Sequence, residues 1–203
     1  MIFRSRTDLL ANIVRPGDLV LDIGYADNLT TSHAAIKQLA KEVYGVDVKM
    51  PPTCRGDRHY IEANAENFSL PTRFDLIYAG DIIEHLSNPG MFLDSCKRHL
   101  TPNGRLVITT PNAFSFFSIV EKITHEEPNV HEDHTLYLNK PTVRSLLQKS
   151  GWSARRFDTV SDKLGDLWKG GIKRKMLASL YSLLGHFSEK YMLTMVVTAT
   201  PSG

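Results

Sequence analysis

Residues 74–112 carry the sequence pattern that most limits how this chain can fold. Two short apolar runs, at 75–79 and 105–110, have the composition of strands, and a helix-like segment followed by a Pro-Asn-Gly turn separates them. This arrangement predicts a β-α-β unit whose two strands run parallel in one sheet. Polar residues follow both runs, and open parallel sheets bind ligands beyond the carboxyl ends of their strands. The chemistry of the chain is therefore predicted at this edge of the sheet.

The rest of the chain continues the alternation of strands and helices. Further strands are predicted at 19–23, 43–46, 59–62, 152–160 and 191–200, and helices at 5–14, 30–41 and 141–150. Seven strands in this order predict an α/β, Rossmann-like fold. The sheet should be mostly parallel, with helices on both faces and an antiparallel last strand. The chain of 203 residues suffices for a single domain of this kind.

Composition excludes several classes of protein. The only cysteines, Cys54 and Cys96, cannot form a disulfide scaffold and fit a reduced, cytoplasmic location. No run approaches the roughly 18 apolar residues of a membrane-spanning helix, so a soluble protein is expected. The formal net charge of +2 is too small to favour nucleic acid as a partner.

The first two strands end in residues that suit a bound nucleoside. The first strand carries Asp22 and ends at Gly24, where a glycine lets the backbone approach a cofactor closely. The second strand ends at Asp47, and a carboxylate there can accept hydrogen bonds from both hydroxyls of a ribose. Taken alone, this pair is equally compatible with a tight turn and a solvated acid.

The four motifs DIG, GVD, FDLIYAGDIIEHL and LTPNGRLVITTPN, in this order, resemble class I S-adenosylmethionine-dependent methyltransferases. The nearest groups are the small type 11 and type 23 methyltransferase domains, and the resemblance covers about residues 17–160. It implies that S-adenosylmethionine lies over the first two strands. The positions that the resemblance assigns to this cofactor are Asp22, Gly24, Tyr25, Asp47, Val48, Asn64, Ala65 and Asp81.

The first loop departs from the pattern of that family. The family usually has two or three glycines there, whereas this chain retains only Gly24. The bulky Tyr25 would either cover the cofactor or obstruct its site. Asn64 stands where the family usually has an aspartate, and its side chain still offers an acceptor oxygen. The depleted loop supports one alternative function, a non-catalytic methyltransferase-like module that binds a partner protein.

A polar cluster follows the fourth strand. Asp81, Glu84 and His85 have the spacing i, i+3, i+4, which predicts a shared helical face, and His131 and His134 lie downstream. One interpretation makes Asp81, His85 and His134 catalytic, with either histidine as the base that deprotonates an acceptor hydroxyl. A second makes the cluster a divalent metal site, because it resembles that of small-RNA 3′-terminal 2′-O-methyltransferases. A third gives it a purely structural role.

Residues 163–190 predict a helical insertion before the last strand, with apolar residues at helical spacing and a basic start. The basic residues are Lys169, Lys173, Arg174 and Lys175. The insertion either packs against the core or makes peripheral contact with an anionic membrane that holds a lipid-linked acceptor.

The sequence therefore predicts an enzyme that methylates a hydroxyl of a small-molecule, sugar or lipid-linked acceptor. The alternatives are a metal-assisted RNA 2′-O-methyltransferase and the non-catalytic module. No metal ligand is assigned, and the acceptor and the oligomeric state stay open.

Overall fold

The computed structural model describes residues 1–116, 118, 131–161, 179 and 193–203. Within these residues the strands are β1 (Ile2–Phe3), β2 (Leu19–Ile23), β3 (Glu42–Asp47), β4 (Tyr60–Glu62), β5 (Phe74–Gly80), β6 (Leu100–Pro111), β7 (Trp152–Val160) and β8 (Thr194–Pro201). The helices are α1 (Arg6–Ile13), α2 (Ser32–Leu39), α3 (Pro89–Arg98) and α4 (Lys140–Lys149).

The strands form one sheet in the order β1-β7-β8-β6-β5-β2-β3-β4. The last strand, β8, runs antiparallel to both of its neighbours, and the other pairs are parallel. The predicted Rossmann-like α/β fold is confirmed. The predicted strand count is wrong by one, because β1 adds an eighth strand at the edge. Its two residues, paired with Thr159 and Val160, are too few to give a periodic signal.

Helices cover both faces of the sheet because the strands are apolar on both sides. Along β2, Leu21 and Ile23 face one apolar layer with α3 and α4, whereas Val20 faces a second layer with α1 and α2. A strand buried on both faces reads as a continuous apolar run, which is the pattern seen at 19–23. The two layers fix the sheet rigidly, so that its carboxyl edge can hold a site.

The predicted helical insertion at 163–190 lies outside the described residues, apart from residue 179. Core packing and membrane contact both stay predictions for this segment. In the part of the chain that the structure describes, no helix is long and apolar enough to cross a membrane.

His59 lies between two carboxylates at the amino edge of the sheet, where β3 begins. Its Nδ1 is 2.6 Å from Asp57 Oδ1, and its Nε2 is 2.8 Å from Glu42 Oε1. The hydrogen bonds to Asp57 and Glu42 raise the pKa of His59 above its ordinary value of 6.5. Hydrogen bonds from His59 lower the pKa of both carboxyls. These three groups therefore make folding stability depend on pH.

Replacing His59 with glutamine should reduce stability only within a limited pH window. Protonated His59 stabilises the folded chain fully below its unfolded pKa of about 6.5, and this contribution is lost as pH rises through the raised folded pKa. Each carboxylate contributes only above its unfolded pKa, about 3.9 for Asp57 and about 4.3 for Glu42. Urea unfolding of both proteins from pH 4 to pH 8 should show the largest difference at about pH 5–6.5. A difference that does not change with pH would contradict this account.

Candidate active site

Four neighbouring parallel strands bring the predicted site residues to one edge of the sheet. β2 leads into Gly24, β3 ends at Asp47, and β5 leads into Asp81. Hydrogen bonds across the edge fix these ends, from Gly24 N to Val46 O at 2.8 Å and from Asp81 N to Thr109 O at 3.0 Å. The residues predicted to face the donor and the acceptor therefore share one rim, as the strand pattern requires.

Gly24 occupies a position that no other residue fits well. Its φ of +79° lies in the left-handed region, which side chains with a Cβ rarely adopt. A Cβ at this position would lie 2.2 Å from Cδ1 and 2.7 Å from Cγ1 of Ile82, which follows β5. Gly24 thus allows the loops after β2 and β5 to approach each other closely.

Asp47 presents a half-buried carboxylate at the end of β3. Its Oδ2 accepts a hydrogen bond from Ala26 N at 2.9 Å, and its Oδ1 accepts one from Lys49 N at 3.1 Å. Each oxygen can accept a second hydrogen bond. Val48 beside it is 63% exposed and offers an apolar surface. This geometry fits a ribose and an adjoining adenine.

The segment after β4 offers a cofactor fewer side-chain contacts than the sequence suggests. Asn64 is exposed, and its Oδ1 accepts a hydrogen bond from Glu66 N at 2.8 Å, which leaves its amide group as a donor. Ala65 is buried in the core, so only its backbone can contact a cofactor. A purine at this position would meet mainly backbone and the Asn64 amide.

The expectation that Tyr25 covers or obstructs the site is wrong. Its ring is fully buried, 4.9 Å from the ring of Tyr60, in space that Gly45 leaves free. Burial raises the pKa of the Tyr25 hydroxyl well above its usual range. Asp22 also points into the core, where its Oδ2 lies 2.9 Å from Nδ1 of His33. Neither side chain reaches the cofactor edge, so only their backbone remains available to a cofactor.

The predicted helical face of Asp81, Glu84 and His85 is also wrong. Asp81 has a φ of 53°, and only Ile83–His85 form a single 3₁₀ turn. Asp81 instead forms an ion pair with Arg6 of α1, which also donates to Thr109 Oγ1 at 3.2 Å. Arg6 could not be predicted as a site residue, because no local sequence pattern links residues 75 positions apart.

Glu84 is buried in the turn that follows β5. Its Oε2 accepts a hydrogen bond from Thr110 Oγ1 at 3.0 Å, and Oε1 has no hydrogen-bond partner among the described residues. Its backbone carbonyl accepts hydrogen bonds from the amides of Thr135 and Leu136. Burial, and then the nearby charge of Asp81, raise the pKa of Glu84 to about 7. The backbone carbonyl of Glu84 therefore ties this turn to the loop that precedes α4, whereas the half-buried His85 does not form the buried pair with Glu84 that the structural interpretation required.

Three histidines lie together above Glu84. His85, His131 and His134 each offer a ring nitrogen within 4.8 Å of the others. The Nδ1 of His85 lies 3.2 Å from the carbonyl oxygen of Asp133 and donates to it, which leaves Nε2 available. Burial, followed by the charges of the other two histidines, lowers the pKa of His134. A neutral imidazole at this position can take up a proton or bind a metal ion.

Comparison with known protein families identifies the family of this chain. Residues 2–156 match the model of a family described as a methyltransferase domain. The chain belongs to the class I S-adenosylmethionine-dependent methyltransferases. S-Adenosylmethionine is the cofactor of this class, and the strand-end positions of Gly24 and Asp47 in this methyltransferase domain agree with it.

Curated relatives of the methyltransferase domain are O-methyltransferases. The mitochondrial ubiquinone biosynthesis O-methyltransferase of Schizosaccharomyces pombe is 29% identical over 121 residues, which cover 52% of this chain and 44% of that protein. The Pseudomonas fluorescens ubiquinone biosynthesis O-methyltransferase is 25% identical over 179 residues, covering 80% of this chain and 74% of that protein. This chain thus spans less than half the length of the Schizosaccharomyces pombe relative.

Solved structures confirm the fold of the methyltransferase domain. An S-adenosylmethionine-dependent methyltransferase from Archaeoglobus fulgidus matches 96% of this chain and 94% of its own, with a TM-score of 0.63 and 18% identity. The Burkholderia thailandensis 1,6-didemethyltoxoflavin-N1-methyltransferase, solved with S-adenosylhomocysteine, matches 98% of this chain and 80% of its own. Its TM-score is 0.62 at 16% identity. At these identities the likeness concerns the fold alone.

Replacing Glu84 with glutamine should stabilise the methyltransferase domain in alkaline solution. The unfolded carboxyl loses its proton near pH 4.5, whereas the folded one keeps it up to about pH 7. Wild-type stability therefore falls as pH rises through this interval, because the folded chain binds more protons. Urea unfolding should show that wild-type stability falls by about 2 kcal/mol relative to the variant between pH 5 and pH 7. Parallel stability curves for the two proteins would contradict this assignment.

Proposed function

We propose that this chain transfers a methyl group from S-adenosylmethionine to a hydroxyl of a small molecule, which includes sugars and lipid-linked acceptors. One observation carries the proposal: Asp47 lies on the same rim as Asp81 and His134, so that a donor on Asp47 has an acceptor site beside it. The names of the curated relatives, which are O-methyltransferases, support oxygen as the atom methylated.

The donor site uses the ends of β2, β3 and β5. Asp47 accepts hydrogen bonds from the ribose hydroxyls of S-adenosylmethionine. Gly24 lets the amino-acid part of the cofactor approach the backbone closely, and Val48 lies against the adenine. Arg6 and Asp81 place one positive and one negative group at the end of β5. Together they match the carboxylate and ammonium groups of an amino acid.

Methyl transfer needs a base and a fixed geometry. When bound, S-adenosylmethionine supplies a methyl group on a positively charged sulfur. His134 would take the hydroxyl proton of the acceptor onto a ring nitrogen, and the cofactor would give its methyl group to the acceptor oxygen and keep the bonding electron pair on sulfur. Burial and two neighbouring imidazoles keep His134 neutral at neutral pH, as a base requires. The rigid sheet edge supplies most of the rate by holding both reactants in line.

The strength of this base favours phenols over alkyl alcohols as acceptors. The pKa of His134 is lowered from the ordinary histidine value of about 6.5. It is far closer to the pKa of a phenolic hydroxyl, about 10, than to that of an alkyl alcohol. Efficient proton transfer requires well-matched pKa values. Phenolic and catecholic acceptors should therefore react faster than sugars.

Transfer of a labelled methyl group tests this proposal. The purified chain is incubated with S-adenosylmethionine carrying a tritiated methyl group and with simple phenols, catechols, sugars or lipid extracts. The expected result is label in the phenol or catechol fraction, as an aryl methyl ether. Label only in nitrogen- or carbon-methylated products, or no transfer to any fraction, would contradict O-methylation.

The three-histidine cluster favours one second candidate, metal-assisted methyl transfer. Three ring nitrogens within 4.8 Å of one another can close around a divalent ion such as Zn²⁺ or Co²⁺. His85 fits this use, because its Nδ1 donates to a backbone carbonyl and so orients Nε2 outward. The ion would polarise the acceptor hydroxyl in place of a base. The net charge of +2 argues against RNA as the acceptor.

Metal removal separates the two candidates. If His134 acts as a base, methyl transfer should survive exhaustive dialysis against a chelator, and replacing His131 with glutamine should change the rate less than about threefold. If a metal acts, chelation should abolish transfer and cobalt should restore it, with a visible spectrum that the His131 variant lacks. Loss of activity that no metal restores would contradict the metal candidate.

A further inference from the structure

A buried chain of polar groups runs from the end of β2 to the surface of α2. We call Asp22, His33, Tyr60 and Lys37 the His33 relay. The Nδ1 of His33 lies 2.9 Å from Asp22 Oδ2, and its Nε2 lies 2.9 Å from the Tyr60 hydroxyl. Lys37 Nζ donates to the same hydroxyl at 3.2 Å. The exposed fractions of Asp22, His33 and Tyr60 are 2%, 1% and 6%.

One tautomer of His33 satisfies both of its ring nitrogens. With Asp22 ionised, Nδ1 of His33 donates to its carboxylate. Nε2 then accepts from the Tyr60 hydroxyl, whose oxygen accepts from Lys37. Both ring nitrogens of His33 are thereby satisfied without contact with water. Removing either bond leaves a buried polar group without a partner, which costs more than the bond itself contributes.

Two members of the relay, Asp22 and Tyr60, lead into different parts of the cofactor site. Asp22 lies in β2, directly before the loop at Gly24, and Tyr60 lies in β4, which precedes Asn64. Strand β3 lies between β2 and β4, and the relay passes one of its faces at Gly45. A Cβ on Gly45 would lie 2.7 Å from the ring of Tyr60, so the relay forms only because this residue is glycine. His33 therefore links the amino-acid end of the cofactor site to its adenine end.

We propose that His33 is a positioning residue for S-adenosylmethionine, because its bond to Asp22 holds the loop at Gly24 in the conformation that receives the cofactor. His33 lies beneath the loop and touches no reacting atom. The inference rests on the cofactor site of the proposed function. It assigns to His33 an effect on donor affinity rather than a role in the chemical step.

Two amide substitutions separate the two bonds of His33. The nitrogen of an asparagine side chain reaches the position of Nδ1, so His33→Asn retains a donor for Asp22 and loses the bond to Tyr60. The longer glutamine reaches the position of Nε2, so His33→Gln retains the bond to Tyr60 and loses the donor to Asp22. Both variants are neutral and polar, which makes them matched controls for loss of the ring.

Calorimetric titration with S-adenosylhomocysteine tests the inference. Binding to His33→Gln should be about 10-fold weaker than to the wild-type chain, and binding to His33→Asn only about 2- to 3-fold weaker. Melting temperatures should fall by similar amounts, so stability alone cannot produce the difference in affinity. Wild-type affinity in both variants, at reduced melting temperatures, would overturn the inference and leave His33 as a space-filling residue.

Tyr60→Phe provides a variant that retains the ring volume if both His33 variants fail to fold. It removes the same bond as His33→Asn and should weaken binding no more than about 3-fold; a 10-fold loss would overturn the inference, because it would assign the effect to the bond with Tyr60. If the wild-type chain binds no S-adenosylhomocysteine, the proposed function and this inference fail together. If it binds and the variants bind equally well, only the inference fails.

Discussion

Replacing Asp47 with alanine should weaken binding of S-adenosylhomocysteine by about 5- to 150-fold. The carboxylate accepts hydrogen bonds from the amides of Ala26 and Lys49 and would also accept them from the ribose hydroxyls. Its loss removes hydrogen bonds to the ligand and loosens the first loop. Such losses cost about 1–3 kcal/mol when the groups are shielded from water. Equilibrium dialysis against labelled S-adenosylhomocysteine measures the change.

Two further variants make that result specific. Asp94 lies exposed on α3, away from the rim, so Asp94→Ala should bind with wild-type affinity. Asp47→Asn retains one acceptor oxygen and should fall between the alanine variant and the wild-type chain. Equal affinity of Asp47→Ala and Asp94→Ala would show that the ribose does not lie on Asp47.

Replacing His134 with glutamine should lower kcat by about 100- to 10,000-fold, the usual contribution of a positioned base. Burial, followed by the charges of His85 and His131, lowers the pKa of this half-buried ring, which keeps it unprotonated at neutral pH. Because it does not hold the donor, affinity for S-adenosylhomocysteine should stay within about 2-fold. Steady-state kinetics with the best phenolic acceptor measures both quantities.

The pH profile adds a second criterion for His134. A base that must be unprotonated gives a rate that rises with pH and levels off above its pKa, which lies below 6.5. This rise should disappear in His134→Gln. If His134→Gln keeps the wild-type rate and pH profile, another group acts as the base. His85→Gln is the matched control, since both rings belong to the same cluster.

The sequence could predict which residues lie at the carboxyl edge of the sheet, because local sequence patterns mark the ends of strands. Apolar runs and their spacing placed Gly24 and Asp47 at the ends of the first two long strands, where the structure has them. The parallel order of the strands then follows from the helices between them. Asp81 and His134 come from distant segments, and the fold places them at the same edge as a consequence of that order.

The errors concern side chains whose direction depends on distant residues. The direction of Tyr25 is decided by Gly45 on β3 and by Tyr60 on β4, and no neighbour in the sequence reveals that space. Helical spacing suggested a shared face for the residues after β5, but the positive φ of Asp81 breaks the helix before it begins. Arg6 reaches the rim only because α1 packs beside the sheet.

Calorimetric titration of the folded wild-type chain with S-adenosylhomocysteine tests whether the carboxyl edge of the sheet binds the methyl donor. We expect saturable binding at one site per chain, since Gly24, Asp47 and Val48 form a single donor site at the sheet edge. A chain that is folded by circular dichroism and releases no heat of binding would contradict it, and would favour the non-catalytic module instead.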